Sequence, residues 1–224
     1  MSESKAIEHL NKLTNSGKFF EWFNNRAKDV SYEALQEWQE ARKYVVDHIF
    51  SEGTSSIQRF CEIARIEAEK NLVWTDENCE AEKYLASVRP AIGQKRGRFP
   101  WCGAFVYWCA AQAGLKIPAA FPTGFTAAYV PGWEAWAKAN KTWYSSRLRA
   151  SEFNPKAGDI VIFDWDGDSV PDHIGIVLSY DGKRTLKTAE GNTSQSNNSN
   201  GNSTSIRTRD WNVCKGFIRM TPSI

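Results

Sequence analysis

The sequence has few of the features that mark a secreted, metal-bound or nucleic-acid-binding protein. Its five cysteines are odd in number and form no Cys-x-x-Cys pair. This argues against a disulfide framework or a zinc site and suits a reducing cytosol. The net charge is only +2, and no basic patch of the strength used on nucleic acids is present. We therefore expect a protein that binds no nucleic acid.

Long apolar runs are also missing. No segment approaches the length needed to cross a membrane, so no membrane insertion is expected. The polar, helix-like N-terminus lacks the basic start and apolar core of a signal peptide, which predicts synthesis in the cytoplasm without one. The 224 residues, 42% of them hydrophobic and 24% charged, are enough to bury a core of ordinary composition.

The residue pattern divides the chain near residues 51–56, a short break that contains Gly53. Residues 1–52 are typical of two or three helices that brace or target the rest, and residues 53–224 form the second predicted domain. Helical stripes there give way to β-type runs, which predicts the α+β class. The predicted helices are 57–68, about 76–88, 102–113 and 133–139; the strands are 159–163, 173–180, 183–190 and 213–220; the loops include 90–100 and 192–205.

The most informative segment is residues 98–114, because it places a cysteine at a helix start. Pro100 is tolerated just before a helix or in its first turn, and Gly114 ends the apolar run that begins at Cys102. Apolar residues on nearly every face predict a buried helix. The N–H groups and positive dipole end at a helix start favour thiolate over thiol and can hold an oxyanion. Cys102 is therefore a candidate nucleophile, although a free cysteine is more commonly a core residue.

A cysteine nucleophile needs a base, and the base needs an orienting partner. Of the three histidines, only His173 follows Cys102, and it begins a predicted strand. A lone histidine at a strand end is often a packing residue, so a partner for the ring is the feature that would favour catalysis.

The predicted hairpin supplies that partner. If Asp181-Gly182 is a two-residue turn, Tyr180 pairs with Lys183, and His173 then pairs with Glu190. A carboxylate opposite the ring could accept one N–H, fix the tautomer and leave the other nitrogen for the thiol. Asn192 is one step further along the same face, as an auxiliary contact. A slip by one residue would put the pair on opposite faces.

Three sequence segments carry a family resemblance: PWCGAFV at 100–106, GDIVIF at 158–163 followed by DHIGIV at 172–177, and EGNT at 190–193. In order and spacing they resemble CHAP domains, the cysteine, histidine-dependent amidohydrolases/peptidases among papain-like cell-wall hydrolases. The likeness spans about residues 57–220. It implies a papain-like α+β fold in which N-terminal helices, including a buried nucleophile helix, pack on a small antiparallel β-sheet.

The resemblance also implies roles for individual residues. Cys102 attacks, His173 is general base and then acid, Glu190 orients the ring, and Asn192 assists. The Cys102 N–H supplies part of the oxyanion hole, and Tyr84 and Gln94 are candidates for the second donor. No cofactor and no metal are expected.

The activity implied is cleavage of amide bonds in peptidoglycan, by an endopeptidase or an N-acetylmuramoyl-L-alanine amidase. A phage lysin or a delivered antibacterial toxin would act at the bacterial cell wall after release or delivery. Its partners would be peptidoglycan and an immunity protein, a holin or a delivery machine. Two alternatives stay open: a cytosolic thiol amidase or peptidase acting on a small peptide conjugate, and a non-catalytic binding module.

An acidic loop just before His173 invites a calcium interpretation, because oxygen ligands recur at alternate positions. It departs from the EF-hand pattern, since glycine falls at the fourth place and Gly175 stands where the twelfth-place glutamate belongs. We favour a solvated turn, whose acidic cluster would raise the basicity of His173. The carboxylates are Asp164, Asp166, Asp168 and Asp172.

Overall fold

Helices come first and strands follow in the described part of the chain. In a computed structural model of the protein these residues are 55–75, 81–93, 99–122, 124–148, 152–194 and 201–221. From Ser56 onward they belong to one compact unit, Ser56–Ile224. Residues 1–52 lie outside the described residues, so the proposed N-terminal segment and its boundary stay predictions.

Five helices and six strands are described, together with a 3₁₀ turn at Trp211–Val213. The helices are α1 (Ser56–Glu69), α2 (Glu82–Ala86), α3 (Arg89–Ile92), α4 (Cys102–Gln112) and α5 (Val130–Ala139). The strands are β1 (Trp143–Ser145), β2 (Ile160–Phe163), β3 (His173–Tyr180), β4 (Thr185–Thr193), β5 (Ser203–Asp210) and β6 (Cys214–Ile218).

The strands form one sheet in the order β1-β6-β2-β3-β4-β5. Every neighbouring pair is antiparallel. The predicted α+β class and antiparallel sheet are confirmed, while the papain-like arrangement stays a prediction. Within the residues that the structure describes, no helix combines the length and the apolarity required to cross a membrane.

The nucleophile helix α4 packs on β3 and β4, and α1 packs on α4 and on β3, β4 and β5. Gly191 in β4 permits the close approach of α4. A Cβ there would lie 2.5 Å from the Phe105 Cβ and 2.7 Å from the Trp101 ring. Eight of the α4 residues are buried, as predicted, including Trp108.

The opposite face of the sheet has its own apolar cluster, built around Val161, Phe163, Val177, Leu186 and Phe217. Because both faces are covered, all four residues of β2 are buried. This explains why β2 is a continuous apolar run rather than an alternating one.

The predicted two-residue hairpin turn is wrong. β3 ends at Tyr180 and β4 begins at Thr185, because the Asp181 carboxylate accepts hydrogen bonds from the backbone N–H groups of three following residues, which stabilises a longer loop. These bonds lower the pKa of Asp181 to about 2.

The register shifts accordingly. Tyr180 pairs with Leu186, and an irregularity between Val177 and Ser179 brings Ile176 opposite Ala189. The predicted turn would have paired Ile176 with Lys187. A shift of two residues keeps every side chain on its predicted face, since faces alternate along a strand. The predicted face was therefore correct although the predicted register was wrong.

Several other boundaries differ from the predictions. β5 and the short edge strand β1 were missed, and β4 and β5 occupy both ends of the predicted 192–205 loop. The predicted 90–100 loop contains the end of α3, whose C-cap Gly93 is left-handed. Of the predicted 76–88 helix, the described part holds only α2.

Candidate active site

Cys102 is the first residue of α4 and is 3% exposed. The N-cap is Trp101, whose carbonyl accepts the Phe105 N–H at 2.9 Å in the first turn. The Trp101 ring stacks on Tyr84, with centroids 5.5 Å apart. A rigid aromatic support thus fixes the helix start, where backbone N–H groups lack intrahelical acceptors.

His173 is the first residue of β3 and is fully buried. Its Nε2 lies 3.0 Å from Glu190 Oε2. The other nitrogen, Nδ1, has no directional hydrogen bond among the described residues, while the ring interacts with Cys102. With Nε2 taken, Nδ1 is the nitrogen left for the thiol. A loose contact of this kind is common in catalytic sites before substrate binds.

The environment favours the protonated ring. Burial disfavours the charge, but hydrogen bonding and Coulombic attraction to Cys102 and Glu190 outweigh it and raise the pKa of His173 to about 9. The geometry can therefore support an imidazolium beside a nucleophilic sulfur. That imidazolium is the form that can donate a proton to a leaving group.

Glu190 in β4 is fully buried and its carboxylate is densely bonded. Thr188 Oγ1 donates to Oε1 at 2.6 Å, and Arg209 donates to both oxygens. Burial opposes ionisation, yet the bonds to Arg209 and His173 hold the pKa of Glu190 at about 2. Glu190 is thus a carboxylate throughout the working pH range.

Gly175 makes the contact between Glu190 and the ring sterically possible. A Cβ at Gly175 would lie 2.9 Å from the Glu190 Cγ. Glu190 therefore crosses the space beside Gly175 to reach His173, instead of standing directly opposite the ring as predicted.

Arg209 is the site residue that the sequence analysis missed. It lies in β5, is 4% exposed, and no strand was predicted there. The available signal was weak: β-branched Thr204, Ile206 and Thr208 alternate with polar residues, which is typical of a strand.

The remaining candidates are Asn192 and the two residues considered as oxyanion donors, Tyr84 and Gln94. Asn192 is buried in β4 with a left-handed φ of 54°, and no hydrogen bond joins it to His173 among the described residues, so its auxiliary role stays a prediction. The Tyr84 hydroxyl instead donates to Glu67 at 2.7 Å, which argues against Tyr84 as the oxyanion donor. Gln94 lies outside the described residues.

The acidic loop brings the carboxylates of Asp164, Asp166 and Asp172 within 4.8 Å of one another. Asp164 accepts the Gly167 N–H at 2.8 Å, and Asp172 accepts the Trp165 N–H at 2.6 Å. Bonds to the loop's own backbone are the arrangement expected of a turn. The expected absence of a metal stays a prediction.

Two of the other described thiols have raised pKa values. Burial raises the pKa of Cys214 to about 12 and that of Cys61 to about 11. Both are protonated at neutral pH, which suits packing rather than nucleophilic attack.

Comparison with protein-family models finds a match over residues 94–192, to the model described as the CHAP domain. The match supports a CHAP domain at residues 94–192. The predicted family is thereby confirmed, and a CHAP domain indicates a hydrolase of the amidase or peptidase type that depends on cysteine and histidine. Comparison with the curated proteins and with the solved structures returns no match.

The CHAP domain match contains Cys102, His173, Glu190 and Asn192, whereas Arg209 follows it in the chain. The residues that hold Glu190 in place therefore come from both inside and outside the matched segment.

Proposed function

We propose that this protein is a cysteine-dependent peptidoglycan hydrolase that cleaves amide bonds of the cell-wall peptide. It would act as an endopeptidase or as an N-acetylmuramoyl-L-alanine amidase. The observation that carries the proposal is the arrangement at the start of α4. Within a CHAP domain, Cys102 interacts with His173, whose Nε2 lies 3.0 Å from the Glu190 carboxylate.

Acylation is the first half of the proposed reaction. With the Cys102 proton already on His173 Nδ1, the thiolate sulfur attacks the amide carbonyl carbon to form a tetrahedral intermediate. The N–H groups at the start of α4 would stabilise the oxyanion as it develops. When the C–N bond breaks, the imidazolium gives its proton to the departing amine, and a thioester on Cys102 remains.

Deacylation returns the enzyme to its starting state. His173 accepts a proton from water, the hydroxide oxygen attacks the thioester carbonyl, and the C–S bond breaks. The products are a carboxylic acid and the Cys102 thiol. Throughout, Glu190 accepts the hydrogen bond of His173 Nε2–H and so fixes the tautomer and the plane of the ring.

A phage lysin and a delivered antibacterial toxin both use such an activity at the bacterial cell wall. The partners proposed here are a holin for the first, and a delivery machine and an immunity protein for the second. Peptidoglycan is the proposed substrate in either case.

Purified full-length protein incubated with purified sacculi tests the proposal. We expect new primary amines, no new reducing sugar ends, and no release by Cys102→Ala. Mass spectrometry of the fragments then names the bond: a new N-terminal alanine on the stem peptide identifies the amidase, and a cut within the peptide identifies the endopeptidase.

The same assay separates the alternatives. Cleavage of small peptide conjugates but not of sacculi would favour a cytosolic thiol amidase, which would overturn the wall substrate. No cleavage of either would favour a binding module and overturn the enzymatic proposal.

A further inference from the structure

Arg209 binds both oxygens of the Glu190 carboxylate, and it shares Oε2 with His173. Its Nε donates to Oε1 at 2.8 Å and its Nη2 donates to Oε2 at 2.5 Å. The Nη2 also donates to Thr193 Oγ1 at 3.3 Å. A planar guanidinium that contacts both oxygens fixes the direction of the carboxylate as well as its charge.

Two aromatic rings hold the guanidinium in place. The Arg209 Cζ lies 4.8 Å from the Trp165 ring centroid and 5.6 Å from that of Phe163. The same rings lie 6.0 Å and 5.9 Å from the His173 ring. Arg209 and His173 therefore contact the same two aromatic rings.

The buried charges explain why an arginine is useful here. A lone buried carboxylate would hold the His173 ring proton even more strongly than the Glu190–Arg209 pair does, whereas the proposed reaction requires the ring to gain and lose a proton in each cycle. A guanidinium on the same carboxylate cancels the excess charge. In the part of the chain that the structure describes, the titratable or charged groups that act on the pair include Cys102 from α4, Arg207 from β5 and Cys214 from β6.

We propose that Arg209 is a positioning residue that, together with Glu190, forms an electrically neutral orienting pair for His173. The Arg209 guanidinium sets the direction of the Glu190 carboxylate. Its positive charge limits how strongly that carboxylate stabilises the protonated His173 ring. This role rests on the proposed function, because it concerns the proton that His173 donates to the leaving amine.

Titration of the His173 ring tests the proposal without any substrate. The chain has three histidines, so ¹⁵N-histidine NMR of the full-length protein gives few signals, and His173→Gln assigns the one of interest. We expect Arg209→Met to raise the His173 midpoint by about one pH unit, because a positive charge is removed. Glu190→Gln should lower it. Arg209→Lys, which keeps the charge, should stay within a few tenths of a unit of wild type.

Arg184→Met is the matched control. Arg184 is an exposed arginine on the β3–β4 loop that pairs with Asp210 at 2.7 Å, and its loss should leave the His173 midpoint unchanged. The proposal is overturned if Arg209→Met leaves or lowers the midpoint, or if Arg209→Lys shifts it as far as Arg209→Met does. Either result would mean that Arg209 only stabilises the fold.

A double variant keeps the test decisive if Arg209→Met does not fold. Glu190→Gln/Arg209→Met removes both charges and should titrate about one pH unit above Glu190→Gln alone, because the positive charge near the ring is lost in this background too. A midpoint equal to or below that of Glu190→Gln would overturn the proposal.

Activity gives an independent readout. In an active enzyme, Arg209→Met should lower kcat about tenfold with little change in KM, and Arg209→Lys should recover part of the loss. Failure to cleave sacculi would end the proposed function but leave the titration result standing, so the two failures are distinguishable.

Discussion

Two fully buried glutamates, Glu67 and Glu190, support the two sides of the candidate site. Glu67 lies in α1 and accepts hydrogen bonds from Lys70 at 2.7 Å, Lys83 at 2.6 Å and the Tyr84 hydroxyl at 2.7 Å. Through the stacked rings of Tyr84 and Trp101 it braces the start of α4. Glu190 instead contacts His173 directly.

The difference shows what distinguishes a site carboxylate from a structural one. Both are buried and both are paired with cations, so burial and pairing alone do not identify a catalytic group. Glu67 is paired with flexible ammonium groups, one of which, Lys83, is 28% exposed. Glu190 is paired with a planar guanidinium that is 3% exposed, and it also contacts the His173 ring, a group that exchanges protons.

The largest expected loss of activity comes from replacing either of the two reacting side chains. Cys102→Ala and His173→Ala should each lower kcat/KM by about 10⁴-fold or more while the fold is kept, because nucleophile and base act as a unit. Release of amines from sacculi measures the loss, and circular dichroism checks the fold.

Cys109→Ala is the matched control, since Cys109 is buried in the same helix away from its start. It should keep most of the activity. Substantial activity in Cys102→Ala or His173→Ala would refute their assignment.

Glu67→Gln and Glu190→Gln test the structural role of the first carboxylate and the site role of the second. Glu67→Gln should cost about 3 kcal/mol of unfolding free energy, because it leaves buried Lys70 without its anion, and should change the activity of the folded enzyme little. Glu190→Gln should lower activity about tenfold, a mild loss because an amide can still orient the ring. Urea unfolding and kcat/KM are the measurements. A greater activity loss in Glu67→Gln than in Glu190→Gln would reverse the roles assigned to them.

The Glu190 network should also give the enzyme a pH dependence. Because the pKa of His173 is raised to about 9, its favourable contribution to stability is complete below about pH 6.5 and is lost as the pH rises through 9. Above pH 9, kcat/KM should fall about tenfold per pH unit as the imidazolium is lost. Profiles from pH 6 to pH 10 measure both effects.

Glu67→Gln should leave this alkaline limb in place, whereas Glu190→Gln should move it to lower pH. If the alkaline fall in kcat/KM occurs at the same pH in both variants, it does not arise from the titration of His173.

The smallest effect is expected for Tyr84→Phe. The ring stack with Trp101 is kept and only the hydrogen bond to Glu67 is lost. The free energy of unfolding should therefore fall by about 1 kcal/mol, and the activity should change less than about threefold. Thermal unfolding and kcat measure the two. A hundredfold loss of kcat would instead make the Tyr84 hydroxyl the oxyanion donor.

Residue patterns located the reacting groups because their signals are local. A proline before a cysteine and an apolar run ending at Gly114 mark the start and end of α4, and the apolar run after His173 marks β3. The turn at Asp181 could not be derived in this way. A side-chain oxygen that binds three amides competes with the short Asp-Gly turn, and this competition has no pattern in the sequence.

The sequence by itself determined the family, the α+β class, the buried cysteine helix and the shared face of His173 and Glu190. Each depends on short-range periodicity or on motif order. Only the tertiary structure decided the register of β4, the space that Gly175 leaves for Glu190, and the position of Arg209 against the Glu190 carboxylate. These depend on strand pairing and on charge neutralisation in a buried environment, which join residues far apart in the chain.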